Sequence, residues 1–237
     1  MPRVARIVVP DLAHHLTQRG NNRQDVFFVD DDRRQYLKLL AGQCRRYGAK
    51  ILGYCLMTNH VHLILIPSRP DSLAKAVGRT HWLYSQYVNR LHKRSGHLWQ
   101  NRFYSNAMDD AHCLLALRYV ERNPIRARIC RLARKYAWSS AAVHCGGPDP
   151  AALLDSDSWK SLSRGLDWPA QLADDIDPAE LRRLRQNWHT GRPLASDGFL
   201  AKLEKSLGRR LRPAPVGRPK KPVHASTRRR KLQRQRK

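Results

Sequence analysis

The sequence predicts an α+β fold in which helices pack on one face of an antiparallel sheet. Apolar runs with strand-like patterning alternate with longer segments of helical periodicity, and turn signals such as Gly20-Asn21-Asn22 lie between them. Strands and amphipathic helices of this kind bury their apolar faces against each other in two layers.

The first half of the predicted fold is a strand, a helix and a hairpin. The strand covers residues 14–19. Three aspartates at 30–32 then open a helix as capping and dipole-matched acids, and Gly48 closes it at a position that favours a left-handed backbone. Two neighbouring runs of β-branched and apolar residues predict the hairpin, with strands at 50–57 and 60–66 and a turn at Thr58-Asn59.

The second half adds a helix, a strand and a helix. A long helix is predicted over about 72–93, and Asp109-Asp110 cap a last core helix that runs to Asn123-Pro124. Between them, aromatic residues alternate with polar and basic ones over 96–105. We predict a strand there, whose rings stack on nucleic-acid bases or, equally, face the core. This order of elements indicates a ferredoxin-like or RRM-like sheet.

Composition divides the chain into three predicted parts. Residues 1–145 hold the sheet, and residues 146–211 form an extension with short helices near 159–162, 178–188 and 199–207. Residues 212–237 form a disordered basic tail, in which Gly217-Arg218-Pro219 resembles a segment that binds a narrow A·T minor groove. A solvated basic tail without specificity is the alternative.

The charge of the chain points to a polyanionic partner. The net charge is +26 with an isoelectric point near 10.9, which favours nucleic acid first and an anionic membrane surface second. No apolar run approaches the ~20 residues of a membrane span, and the first residues do not resemble a signal peptide, so we expect a cytoplasmic protein. The five scattered cysteines argue against a disulfide framework or a zinc knuckle.

Two histidines on one predicted strand are candidate metal ligands. Side chains two apart on a strand point to the same face, so His60 and His62 lie side by side while Val61 faces the core. Two neighbouring imidazoles begin a divalent-metal site. The alternative is a pair of polar residues on the solvated face of a half-buried strand.

The last core helix offers a nucleophile and a third ligand. Tyr119 and Asn123 are four residues apart and therefore share a helix face. Asn123 adds a neutral oxygen that suits Mg²⁺ or Mn²⁺, and a tyrosine hydroxyl can act as a covalent nucleophile. On the helix alone, the alternative is an amphipathic tyrosine and an asparagine that ends the helix before Pro124.

Together, these motifs resemble the HUH single-strand nucleases. The wider sequence is similar to the IS200/IS605-like single-tyrosine transposases, and within them to the REP-associated tyrosine transposases. The resemblance covers most of residues 12–130, and its matching stretches lie at 15–22, 54–66, 98–103 and 118–127.

The resemblance implies a site and a reaction. His60, His62 and Asn123 are expected to hold Mg²⁺ or Mn²⁺, and Tyr119 is expected to cleave single-stranded DNA at REP-type hairpins through a 5′-phosphotyrosine. The expected DNA contacts are Arg19, Asn22, Arg102, Arg126 and the tail residue Arg218. We expect a nucleoid-associated monomer, with a homodimer as the alternative.

Three other functions compete with this one. A histidine-triad hydrolase needs a third histidine where Ile64 stands. A replication-initiator-type HUH nickase shares the chemistry, but the flanking sequence fits it less well. A non-catalytic regulator that binds hairpin DNA explains the charge and the sheet, but it does not explain the spacing of Tyr119 and Asn123.

Overall fold

Residues 6–188 and 190–213 are described by this computed structural model. The predicted DNA contact of Arg218 therefore lies outside the described residues. The strands are β1 His14–Arg19, β2 Ala49–Met57, β3 His60–Pro67 and β4 Tyr104–Ala107. The α-helices are α1 Asp30–Tyr47, α2 Ser72–Leu91, α3 Asp110–Glu121, α4 Asn123–Arg126, α5 Ala141–His144, α6 Ser156–Leu162, α7 Trp168–Ala173, α8 Pro178–Trp188 and α9 Asp197–Leu207.

The four strands form one antiparallel sheet in the order β2-β3-β1-β4. This order and the alternation with α1 and α2 confirm the predicted ferredoxin-like class. The hairpin of β2 and β3 has the predicted turn, and β3 lies in the interior of the sheet between β2 and β1. In the register of β1 and β3, Thr17 lies opposite His62 and Arg19 opposite His60.

Helices α1 and α2 cover one face of the sheet. Leu63 and Leu65 point into this layer, where they share a core with the fully buried Tyr36 and Tyr84. The Tyr84 hydroxyl donates to the backbone carbonyl of Val26 at 2.6 Å, so its burial leaves no polar group unpaired. Helix α1 begins at the predicted run of aspartates. The Asp32 carboxylate accepts from the backbone N–H groups of Phe28 and Val29, which precede the helix.

The opposite face of the sheet, expected to be open, carries α3 and helices of the C-terminal part. Cys55 and Ile64 point to this side and are fully buried there against Leu117 and Val120 of α3. Apart from Lys50 of β2 and the two histidines of β3, these strands therefore carry apolar side chains on both faces, which is typical of strands that are covered on both sides.

The strand predicted over 96–105 is wrong for most of its length. Within this segment, only Tyr104 and Ser105, the first residues of β4, lie in a strand that pairs with β1, and the preceding residues contribute one isolated bridge between Gly20 and Trp99. Trp99 and Phe103 are buried, with the Trp99 ring stacked on His81 at 4.5 Å between centroids. The alternation of aromatic residues thus reflects core packing at these two positions, the second of the two interpretations.

The helices after β4 are more numerous than predicted. Helix α3 begins where Asp109 accepts from the backbone of His112, as predicted, but it ends at Glu121, and Asn123 opens the separate short helix α4. The three predicted helices of the extension correspond to α6, α8 and α9. The sequence interpretation missed α5 and α7, which are four and six residues long.

A buried carboxylate joins α3 to the C-terminal part. Glu121 accepts from the Ser140 hydroxyl at 2.5 Å and from the Trp168 indole at 2.8 Å, and its Oε1 lies 2.6 Å from Nδ1 of His144. The His144 ring in turn stacks on Trp159 at 3.8 Å between centroids. These contacts cross the predicted boundary between residues 145 and 146, which stays a prediction.

Among the described residues, no helix is long and apolar enough to cross a membrane.

Candidate active site

Strand β3 places the two predicted histidines on the same face of the sheet. The ring centroids of His60 and His62 are 5.1 Å apart, and the ring of His62 lies 5.8 Å from that of Tyr119. The alternation of the strand therefore brings both imidazoles to the side that carries α3.

Asn59 fixes the tautomer of His60. Nδ1 of His60 lies 2.7 Å from Oδ1 of Asn59, while the amide nitrogen of Asn59 donates to the carbonyl of Arg23. Because an amide oxygen can only accept, His60 donates from Nδ1. Its Nε2 then carries the lone pair that a metal ion needs.

His15 contacts the corresponding ring nitrogen of His62. Nε2 of His15 lies 3.0 Å from Nδ1 of His62, and the two rings stack at 5.2 Å. If His62 donates across this contact, its Nε2 is left with a lone pair, which is the arrangement that metal binding requires. The other ring nitrogen of His15 is buried without a partner among the described residues.

All three imidazoles are neutral near pH 7. Burial, followed by the charges of Arg19 and Arg126, lowers the pKa of His60 to about 4. Burial lowers the pKa of His15 to about 3, and burial together with the neighbouring histidines lowers the pKa of His62 well below its usual value. Neutral imidazole is the form that coordinates a metal.

Arg126 joins the predicted nucleophile to the predicted third ligand. Its Nη2 donates to the Tyr119 hydroxyl at 2.6 Å and to Oδ1 of Asn123 at 3.0 Å. Its guanidinium carbon also lies 4.1 Å from the centroid of the Tyr119 ring. The hydroxyl that would become an anion during attack thus already contacts a fixed positive charge.

A tryptophan from α8 completes the surroundings of the tyrosine. The Trp188 ring packs edge-on against Tyr119 at 4.4 Å between centroids and lies 4.8 Å from the ring of His15. Tyr119 is only 4% exposed. A substrate therefore reaches its hydroxyl only through the cavity that this residue lines.

This cavity has a volume of about 550 Å³ and holds the predicted site in one place. Its lining includes all four predicted catalytic and metal-binding residues and two of the predicted DNA contacts. These are Tyr119, His60, His62 and Asn123, together with Arg19 and Arg126.

The donor set fits one divalent cation. The described residues contain no group of three His, Cys, Asp or Glu side chains placed to hold an ion, so a third ligand beside the two histidines has to be of another residue type. After accepting from Arg126, the Asn123 oxygen keeps a second lone pair for this purpose. Two lone-pair imidazoles and one amide oxygen leave further coordination positions for a phosphate and water.

Two other predicted DNA contacts, Asn22 and Arg102, do not line this cavity. Asn22 is exposed in the turn after β1, where its backbone is left-handed with a φ of 51°. Arg102 lines a different cavity.

Sequence reasoning missed His15 and Trp188. The pairing of β1 with β3 could have indicated His15, because Thr17 lies opposite His62 and residues two apart share a face. No signal in the sequence indicates Trp188, since α8 follows α3 by more than fifty residues.

Comparison with known proteins gives a family and a fold. Residues 8–123 match the model of the IS200-like transposases. No curated protein matches the chain in sequence. A structure of a REP-associated tyrosine transposase bound to a REP hairpin is similar over 75% of this chain and 96% of that one, at 13% identity and a TM-score of 0.54. A crystal structure of a candidate transposase from Deinococcus radiodurans R1 aligns with 51% of this chain and 97% of its own, at 20% sequence identity and a TM-score of 0.37. This match spans the sheet, both histidine candidates for the metal site and Tyr119, so the part of the chain that carries the candidate site belongs to the family of IS200-like transposases.

Proposed function

We propose that this chain is a metal-dependent endonuclease and strand transferase that acts on single-stranded DNA at REP-type hairpins. The observation that carries the proposal is the convergence of Tyr119, His60, His62 and Asn123 on one cavity. A tyrosine hydroxyl bonded to a guanidinium beside two neutral imidazoles suits nucleophilic attack on a phosphodiester. The similar fold of the transposase bound to a REP hairpin supports the choice of hairpin DNA.

In the proposed reaction, the Tyr119 oxygen attacks the scissile phosphorus and loses its proton to solvent. The bond between phosphorus and the 3′ oxygen breaks, and that oxygen takes up a proton as a free 3′-OH. The products are this 3′ end and a 5′-phosphotyrosine. Because the covalent link keeps the energy of the phosphodiester, attack by a 3′-OH on the phosphotyrosine rejoins strands without ATP.

Arg126 stabilises the attacking oxygen in this scheme. A charge-assisted hydrogen bond favours the phenolate that forms as Tyr119 loses its proton. The contact of Tyr119 with Trp188 restricts the ring to one orientation. Arg19, opposite His60 in the sheet, supplies a further positive charge at the cavity wall, where a phosphate enters.

The ligands of the proposed ion are His60, His62 and Asn123, oriented by the contacts described above. When bound there, Mg²⁺ or Mn²⁺ supplies Lewis-acid polarisation of the scissile phosphate. Asn59 and His15 hold the two imidazoles with Nε2 available, and Arg126 holds the amide oxygen of Asn123.

A monomer is the proposed active form, because a single chain supplies the tyrosine, both histidines and the asparagine that line the cavity. A homodimer remains the alternative. The proposed place of action is the cytoplasm, on the nucleoid, where chromosomal hairpins are exposed as single strands. A tail that contains Arg218 adds non-specific attraction to phosphates in this scheme.

The test uses labelled hairpin DNA from the repeats of the host genome, with Mg²⁺ or Mn²⁺ present. Wild-type protein is compared with Tyr119→Phe and with Tyr47→Phe, a matched control at the end of α1 on the other side of the sheet. Denaturing gels should show cleavage and a protein-linked 5′ end for wild type and Tyr47→Phe only. Tight binding without metal-dependent cleavage in any variant would exclude the nuclease and leave the hairpin-binding regulator.

A further inference from the structure

Helix α8 lines part of the active-site cavity, although it lies outside the residues that match the transposase family. Two of its residues, Arg185 and Trp188, line the cavity together with Tyr119. Leu184 and Trp188 are buried in the same core cluster as Tyr119. Because residues four apart lie on one face of a helix, this buried pair fixes which side of α8 turns to the core.

Helix α8 is anchored on both sides along the chain. Before it, the Arg118 guanidinium of α3 donates to two backbone carbonyls, those of Asp174 and Asp175, each at 3.0 Å. After it, the backbone N–H of Leu194 donates to the carbonyl of the last residue of β4 at 2.8 Å. The helix of the proposed nucleophile and a strand of the sheet thus hold α8 in place, so a fixed element presents Arg185 to the cavity.

The cavity has a surplus of positive charge. Its lining contains three arginines, Arg19, Arg126 and Arg185, and none of the described residues that line it is acidic. Arg126 already donates to Tyr119 and Asn123. The exposed Arg185, by contrast, makes no hydrogen bond or ion pair in the described part of the chain. A guanidinium without a partner, in a cavity without a carboxylate, favours a bound anion.

We propose that Arg185 binds the DNA phosphate that enters this cavity, which the proposed function makes the phosphate attacked by Tyr119. The guanidinium donates to the non-bridging oxygens and stabilises the charge that they carry in the transition state. The C-terminal part of the chain then supplies a catalytic residue, and α8 belongs to the catalytic unit. This inference rests on the proposed function for the identity of the phosphate.

The first test measures cleavage apart from binding. Saturating protein is mixed with labelled hairpin DNA that keeps its single-stranded flanks, in the presence of Mg²⁺ or Mn²⁺, and product is quantified in a single turnover. Arg185→Gln should lower the cleavage rate constant about 10- to 150-fold, the loss expected when a hydrogen bond between charged groups is removed from the transition state. Arg182→Gln is the matched control, since Arg182 is exposed on the same helix and does not line the cavity. It should cleave as fast as the wild type.

A second test measures binding without cleavage. Each protein also carries Tyr119→Phe, metal is omitted, and fluorescence anisotropy gives the affinity for the same DNA at several salt concentrations. Loss of one phosphate contact on single-stranded DNA reduces the slope of log K against log salt by about 0.7. Arg185→Gln should show this reduction, whereas Arg182→Gln and Arg185→Lys should keep the slope of the parent protein. Urea denaturation of each variant checks that the fold is intact.

The outcomes separate this inference from the proposed function. Equal effects of Arg185→Gln and Arg182→Gln, or no effect of either, would overturn it. A reduced salt slope with an unchanged rate constant at saturation would place the contact at another phosphate, and the assignment to the attacked phosphate would be wrong. If the wild-type protein does not cleave DNA, a slope reduced only by Arg185→Gln still supports the phosphate contact, and the nuclease proposal fails alone.

Discussion

Replacing Arg126 by methionine should slow DNA cleavage much more than it weakens DNA binding. Methionine has a similar length but no charge and no donor, so Arg126→Met removes the bond to the Tyr119 hydroxyl at 2.6 Å. A hydrogen bond to a charged group contributes about 1.5–3 kcal/mol. If that energy acts only on the phenolate formed during attack, the cleavage rate constant falls about 10- to 150-fold.

A single-turnover assay with saturating protein measures this rate constant apart from binding. Hairpin DNA is mixed with excess protein and a divalent metal, and the 5′-linked product is quantified over time. Arg19→Met is the matched control, since Arg19 lines the same cavity and makes no hydrogen bond to Tyr119 in the described part of the chain. It should raise Kd with a smaller effect on the rate constant, because its charge meets phosphate rather than the nucleophile.

The opposite pattern would refute this reasoning. If Arg126→Met raises Kd and leaves the saturated rate constant unchanged, then Arg126 contacts DNA, as the sequence alone suggests, and does not assist the nucleophile. Arg126→Lys gives a graded check, because lysine keeps the charge but lacks the planar guanidinium whose Nη2 donates to both oxygens.

Three further predictions concern metal affinity and stability. His15→Phe should weaken Mn²⁺ binding to the DNA-free protein about 10- to 100-fold, because the variant no longer fixes the tautomer of His62. An electron paramagnetic resonance titration measures this affinity, and an unchanged affinity would contradict the role of His15. Glu121→Ala should lower the free energy of unfolding, measured in urea, by about 3–5 kcal/mol, because it leaves the buried donors of Ser140 and Trp168 without an acceptor. Glu180→Ala, at an exposed position, should change it little. Burial lowers the pKa of His14 to about 4, so the unfolded chain binds a proton that the folded chain does not between pH 6.5 and 4. As the pH falls from 6.5 to 4, this residue should therefore lower the free energy of unfolding, by ~2.5 kcal/mol at pH 4.5. His14→Gln should weaken this pH dependence, as measured by urea denaturation at each pH.

The parts of the site that follow from local geometry were predictable from the sequence. The spacing of His60 and His62 places both on one face once the strand is recognised, and the spacing of Tyr119 and Asn123 does the same on a helical turn. The break between α3 and α4 falls between Tyr119 and Asn123 without separating them, because Arg122 at the break keeps a right-handed helical backbone. Arg126 donates to both side chains.

The parts that depend on tertiary contacts were not predictable. The aromatic residues before β4 have a strand-like pattern, yet Trp99 and Phe103 are buried in an irregular segment against His81, and only the assembled core shows this. Trp188 reaches Tyr119 from a helix with no motif of its own. Propensity and spacing describe neighbours in sequence, whereas these contacts are decided by how distant elements pack.

The buried carboxylate of Glu121 has a consequence for anyone who wishes to shorten this protein. It lies two residues from Tyr119, and one of its partners, Trp168, belongs to the stretch that a minimal catalytic fragment would discard. A truncation at residue 145 would remove the indole that donates to this buried acid, two residues from the tyrosine. A compact genome-editing tool built from this scaffold should therefore keep the chain at least through α7, or replace Glu121 in the same step.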